Sequence, residues 1–232
     1  MNERLKRYYR WRIETILRRK FLPVTKILNI ITPTYHPGKR SELVLRVINS
    51  ILGQTSHNLR VKHFIVCDEE IPVEWKLSSP AWYEQHFIPP IKLKRYSTDY
   101  RNAGLKSVTR GWVMMLSDEN ELLPGCFTAI ERNLSSRAGT ILFRVRRGSD
   151  GMIIPTDSDR APSFEDSPSL ALIVNTDVAW IVDYQHRLLR DFQYIENIQA
   201  MSAHYGFENL SVQEIIGIDR DVISVKPVDT KA

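Results

Sequence analysis

Five polar residues, Ser117-Asp118-Glu119-Asn120-Glu121, follow the apolar run Trp112 to Leu116. Carboxylates packed this closely suit a hard divalent cation, and Mg²⁺ or Mn²⁺ held by one or two carboxylates plus a substrate phosphate is the expected arrangement. Two more apolar runs end in groups that could serve the same ligand. Ile27 to Thr32 leads into the hydroxyl-bearing turn Pro33-Thr34-Tyr35, and Val61 to Cys67 leads into Asp68 and Glu69. Other chemistries lack their residues. No G-x-G-x-x-G follows the first run and no G-x-x-x-x-G-K-[ST] occurs, so the glycine-rich routes to phosphate binding are unsupported. The six histidines show no metal-ligand spacing, and H-E-x-x-H, G-x-S-x-G and C-x-x-C are all absent.

These groups need a scaffold that brings three chain ends together. Ile27 to Thr32, Val61 to Cys67 and Trp112 to Leu116 read as buried strands. Between them, Ser41 to Gln54 carries a helical stripe of Leu43, Val44, Val47, Ile48, Ile51 and Leu52, with Ser41 as its expected N-cap. Residues 102–110 read as a second helix. A third opens at Pro124 with Phe127, Ile130 and Leu134 facing inward. Residues 71–90 read as irregular and 91–96 as a short strand. This β-α-β alternation predicts a parallel sheet covered by helices, which binds ligands beyond the C-terminal ends of its strands. The second half reads as strands over 140–147 and 152–154, strand in two pieces over 169–182, a loop over 149–167, a helix over 186–205 and a last strand over 222–228.

The chain has 232 residues, 43% hydrophobic and 25% charged, which excludes disordered, collagen-like and coiled-coil classes. The most apolar stretch, Leu170 to Val182, is broken by Asn175, Thr176 and Asp177, so no ordinary membrane span is expected. The N-terminus is basic without the continuous apolar region of a signal peptide. Cys67 and Cys126 are therefore expected to be reduced and the chain cytoplasmic. The net charge of +5 is concentrated at one end: residues 1–22 hold eight Lys or Arg and two acids, and the remainder 24 basic and 25 acidic groups. A near-neutral body argues against a nucleic-acid binder. Residues 2–22 read as an amphipathic helix with Leu5, Tyr9, Ile13, Ile16 and Leu17 on one face and cations on the other, ending at Pro23. Such a helix suits the headgroup region of an anionic membrane; the alternative is packing on its own domain or on a dimer partner.

The order of features resembles the GT-A nucleotide-sugar glycosyltransferases, particularly the family-two type. The residues that carry the likeness are "ILNIITPTYHPGKR", "NSILGQT" at 49–55, "FIVCD", "YRNAGLKSVTRGWVMML" and "LSDENELLP". The last matches the family's metal motif, with Ser117 at its first aspartate, Glu119 at its third position and Asn120 replacing a further acid. The resemblance implies an α/β fold that is GT-A-like (Rossmann-like), with a central mostly parallel sheet flanked by helices. Residues 23–232 would form one domain, with a nucleotide-binding half at 27–136 and an acceptor half at 137–232.

Function and site residues follow from the same resemblance. It implies transfer of a sugar from a nucleotide-sugar donor, UDP-linked, to a glycan or lipid-linked acceptor, with a divalent cation and with inversion. Pro33, Thr34 and Tyr35 would hold the base and ribose, and Asp68 the base edge. Arg101 would meet the diphosphate, with Asn102 and Gly104 shaping a loop close to the donor. Asp118 and Glu119 would approach the diphosphate and metal, with Asn120 as a further metal ligand. The catalytic base would be Asp191 in "LLRDFQYIENI", with Glu196 and Asp166 in reserve. Trp75, Trp82, Tyr83 and Phe87 could stack on a sugar or anchor their segment to the core. Two alternatives remain beside this reading: a sugar-phosphate nucleotidyltransferase, and a non-catalytic degenerate relative kept in view by Ser117 and Asn120.

Overall fold

The fold comes from a computed structural model, which describes residues 26–35, 37–55, 58–76, 79–88, 97–155, 169–179 and 190–219. Strand β1 (Ile27–Pro33) is followed by helix α1 (Pro37–Leu52), β2 (Arg60–Val66), β3 (Tyr83–Ile88), α2 (Ser97–Ser107) and β4 (Trp112–Met115). Then come β5 (Glu121–Leu122), α3 (Cys126–Asn133), β6 (Ala138–Arg147), β7 (Ile153–Ile154), β8 (Leu172–Asn175), α4 (Thr176–Ala179), α5 (Arg190–His204) and β9 (Glu208–Asp219). They form one mixed sheet in the order β3-β2-β1-β4-β8-β6-β9-β5, with β7 on β6. Strands β3, β2, β1 and β4 are mutually parallel, and β8 turns antiparallel against β4. This is the expected mostly parallel α/β architecture. It follows from the apolar runs: β1 buries every residue after Ile27 and β4 all four of its residues, as strands covered on both faces must.

The boundaries differ in instructive ways. Helix α1 starts at Pro37, not after Ser41, because proline is preset for a first helical turn and lacks the N–H that would go unsatisfied there. The Ser41 hydroxyl instead accepts from Trp75 Nε1 at 2.9 Å and donates to Glu74 at 3.2 Å. The region expected to be irregular contains β3, an edge strand of mixed polarity (Tyr-Glu-Gln-His-Phe-Ile) with no run or alternation to announce it. Among the described residues of the segment expected as strand, 169–179, β8 alone is strand, and α4 follows it directly. Strand β9 was not anticipated at all, although it runs for 12 residues beside β6. The predicted elements at 2–22, 91–96 and 222–228 lie outside the described residues. No described helix is long and apolar enough to cross a membrane.

The aromatic residues of 75–87 anchor their segment. Trp75 is fully buried with Val44, Ile48 and Ile65, Tyr83 is 3% exposed, and Trp82 meets Phe127 edge-on with centroids 6.0 Å apart. Gly104 likewise has a packing role where a donor-loop role was expected. It lies within α2, and a Cβ there would sit 2.4 Å from Ile31 Cγ2, so glycine lets α2 lie directly on β1.

A buried polar chain crosses the first three strands. Thr32 Oγ1 and His63 Nε2 are 2.8 Å apart, as are His63 Nδ1 and Tyr83 Oη. Burial pushes the His63 pKa down to about 3, so the imidazole is neutral in the native protein. An unfolded histidine takes up its proton below about pH 6.5. Between about pH 6.5 and 3 the unfolded state therefore binds one more proton, and stability falls with falling pH. This group alone should remove about 1.4 kcal/mol per pH unit in that window. Urea unfolding at pH 7, 6, 5 and 4 should show that slope, and His63→Asn should be shallower by one proton's worth; parallel slopes would contradict it.

Candidate functional site

The site sits where β1, β2 and β4 end. Pro33 pairs with Val66, the Thr34 N–H donates to Val66 O at 2.9 Å, and the Leu116 N–H donates to Ile31 O at 3.0 Å. Those bonds carry the turn 33–35, Cys67-Asp68 and the acid run 117–121 to one edge of the sheet. The acid run is then held at its far end. The Leu122 N–H donates to Ser50 Oγ at 3.3 Å, Gln54 Nε2 donates to Leu123 O at 3.0 Å, and β5 pairs with β9. Ser50 and Gln54 belong to "NSILGQT", so that motif acts here as a clamp on the acid loop. Asn120 closes the loop with an N–H donated to Ser117 O at 3.0 Å.

Within this frame the side chains converge on Asp118, which is 1% exposed. Thr34 Oγ1 donates to its Oδ2 at 2.6 Å, and Arg40 Nη1 lies 2.7 Å from both of its oxygens. Arg40 Nη2 pairs with Glu119 Oε1. The other side of the guanidinium is covered by the Tyr35 ring, 4.3 Å from its centroid, an ordinary cation–π distance. Burial alone would lower the Arg40 pKa, but the Asp118 carboxylate and the hydrogen bond and charge of Glu119 outweigh it, so the pKa is raised. Arg40 is a permanent cation between two acids.

Of the residues expected from sequence, Thr34, Tyr35, Asp118 and Glu119 meet around Arg40, and Pro33 and Asp68 end the neighbouring strands. Arg101 is buried on α2, with Asn102 one residue further along it. Tyr100, just before Arg101, has its hydroxyl pKa raised by burial and by the nearby Asp68, Cys67 and Asp99, which places this turn of α2 beside the end of β2. Asp191 is the second residue of α5; its side chain, like Asp166 as a whole, lies outside the described residues. Glu196 is exposed on α5.

Arg40 is the residue that reading the sequence missed. One signal was available. Lys39 and Arg40 fall in the first turn of α1, which has no acid, although cations there oppose the helix dipole. Such a local conflict calls for an anionic partner elsewhere in the fold.

The arrangement fits poorly with the expected metal ligands. Both oxygens of Asp118 are engaged, Arg40 is paired with Glu119, and Asn120 is 4% exposed. Among the described residues no group of three or more His, Cys, Asp or Glu side chains could hold a metal ion.

No protein-family model matches the chain, and no curated protein matches it in sequence. Solved structures do match in shape. Residues 1–349 of S. aureus TarS superpose with a TM-score of 0.59 at 12% identity, covering 84% of this chain and 60% of that one. The same protein in complex with UDP-GlcNAc gives a TM-score of 0.58 at 10% identity, over 85% and 59% of the two chains. The mannosyltransferase PcManGT from Pyrobaculum calidifontis, in complex with GDP-Man and Mn²⁺, gives 0.58 at 12% identity, over 91% and 65%. The chain thus shares the fold of these structures, a mannosyltransferase among them. It spans about three fifths of the length of these neighbours.

Proposed function

We propose that the chain is a glycosyltransferase that binds a nucleotide-sugar donor at the C-terminal edge of β1, β2 and β4 and transfers its sugar, with inversion, to a glycan or lipid-linked acceptor. The observation that carries the proposal is the junction of Thr34, Tyr35, Arg40, Asp118 and Glu119 at that edge, in a fold shared with proteins solved with UDP-GlcNAc and with GDP-Man. Tyr35 is 44% exposed and offers a ring face to the base, and Asp68 lies at the adjacent strand end for the base edge. Arg101 faces the diphosphate with the paired donors of a guanidinium.

In the transfer step Asp191 accepts the proton of the acceptor hydroxyl. The acceptor oxygen forms its bond to the anomeric carbon from the face opposite the diphosphate. The bond from that carbon to the diphosphate oxygen breaks, and its electron pair leaves with the nucleoside diphosphate. Positive charge gathers on the sugar in an oxocarbenium-like transition state, while negative charge gathers on the leaving group, where fixed cations stabilise it. The mannosyltransferase of similar fold was solved with Mn²⁺, whereas the donor set of this chain does not fit a cation. Residues 1–22 set the chain at the inner, anionic face of a membrane in this reading.

Calorimetric titration of UDP, UDP-GlcNAc, GDP and GDP-Man into the full chain, with Mn²⁺ present, tests the donor site. One base should bind with saturation and its sugar conjugate should bind at least as well. A folded chain that binds none of the four would overturn the proposal.

A further inference from the structure

We propose that Arg40 supplies the positive charge that a divalent cation supplies elsewhere, so that the donor's diphosphate binds this chain without a metal ion. The inference rests on the donor-site reading above and deepens it.

Three observations carry it. The first is position. Arg40 bridges Asp118 and Glu119, two of the three acids of the run that closes the donor edge, and so occupies the carboxylates expected to approach the cation. The second is that this guanidinium is built in. Asp118 is 1% exposed and also accepts from the buried Thr34 hydroxyl, Tyr35 stacks on the guanidinium, and Arg40 itself is 14% exposed. A metal ion entering on Asp118 would have to break those bonds and leave a buried arginine beside it, which is costly. The third is the helix. Arg40 and Lys39 stand in the first turn of α1, where free backbone N–H groups and the dipole already favour an anion. Two cations at that point disfavour the helix locally. Asp118 and Glu119 answer the charge of Arg40, and the exposed Lys39 beside it adds a cation that an arriving diphosphate would meet.

The chemistry follows. Arg40, Asp118 and Glu119 together carry one net negative charge, and a diphosphate adds two more. Binding therefore requires Glu119, the more exposed acid at 29%, to give up Arg40 Nη2, which turns to a phosphate oxygen while Nη1 stays on Asp118. A guanidinium can do this because its donors lie in one plane and address two anions at once. Lysine keeps the charge without the fork, so the two substitutions separate charge from geometry.

The test is calorimetric titration of UDP and GDP against the full chain in EDTA and again in Mn²⁺. Wild-type chain should bind one nucleotide in EDTA, with affinity unchanged by Mn²⁺. Arg40→Lys should bind about tenfold more weakly. Arg40→Gln combined with Asp118→Asn, which removes the buried pair together and leaves a folded chain by thermal melt, should bind about 10- to 100-fold more weakly, the weight of a charge-assisted hydrogen bond. Binding that appears only with Mn²⁺ would overturn the metal-free site and leave the transferase reading intact. So would undiminished binding by the folded double variant. Binding of no nucleotide under either condition would overturn both.

Discussion

An Asp118→Ala chain should lose about 3–5 kcal/mol of unfolding free energy, the usual consequence of removing one partner of a buried ion pair. Asp118 takes three polar contacts from residues 84 and 78 positions away: Thr34 at the end of β1, and Arg40 in α1 on both of its oxygens. Without the carboxylate, the Thr34 hydroxyl is left 1% exposed with no acceptor there, and the guanidinium keeps Glu119 as its only acid in this junction. Adding Arg40→Met should recover part of the loss, because an apolar pair in place of a buried ionic one is often close to neutral. The two substitutions should therefore be strongly non-additive, with a coupling of about 2 kcal/mol. Urea unfolding of the two single variants, the double variant and the wild type measures this directly. A loss below about 1 kcal/mol, the weight of an exposed pair, would show that the junction contributes little to the fold.

Asp191→Asn should lower kcat by about 10²- to 10⁴-fold, the usual contribution of a positioned general base, while leaving donor affinity unchanged. Asparagine matches aspartate in size but cannot take a proton at neutral pH. The residue stands in the first turn of α5, and that helix is fixed by the buried Ile195 and Ile198 against the core. Glu196, exposed on the same helix, is the control: Glu196→Gln should turn over like wild type. The assay is release of nucleoside diphosphate from the donor identified by titration, in the presence of a glycan acceptor, with donor binding measured alongside. Unchanged kcat in Asp191→Asn, or a loss confined to Glu196→Gln, would move the base elsewhere.

How much of this could be read from the residues depends on burial. Strands β1, β2 and β4 are covered on both faces, so their sequences are nearly continuous apolar runs, and each was located to within a residue or two. Because each run ends in polar groups, the edge that holds Thr34, Tyr35, Asp68 and Asp118 was legible too. Strands β3 and β9 were not. The first is an edge strand, and the second alternates irregularly, with register shifts against β6, so neither shows a clean period. The "NSILGQT" motif was visible as a pattern, but its work was not, because Ser50 and Gln54 act on Leu122 and Leu123, some 70 residues away.

The sequence by itself determined the α/β alternation, the helical stripe of α1 and the polar character of the strand ends, since each depends on neighbours a few positions apart. Only the tertiary structure decided what those ends do. Asp118 was expected to reach outward to a cation, yet it points into the protein, because Thr34 and Arg40 arrive from 84 and 78 residues away to enclose it. A charge has no local signature that says which opposite charge it will meet, and only the folding of α1 over the end of β4 sets that pairing.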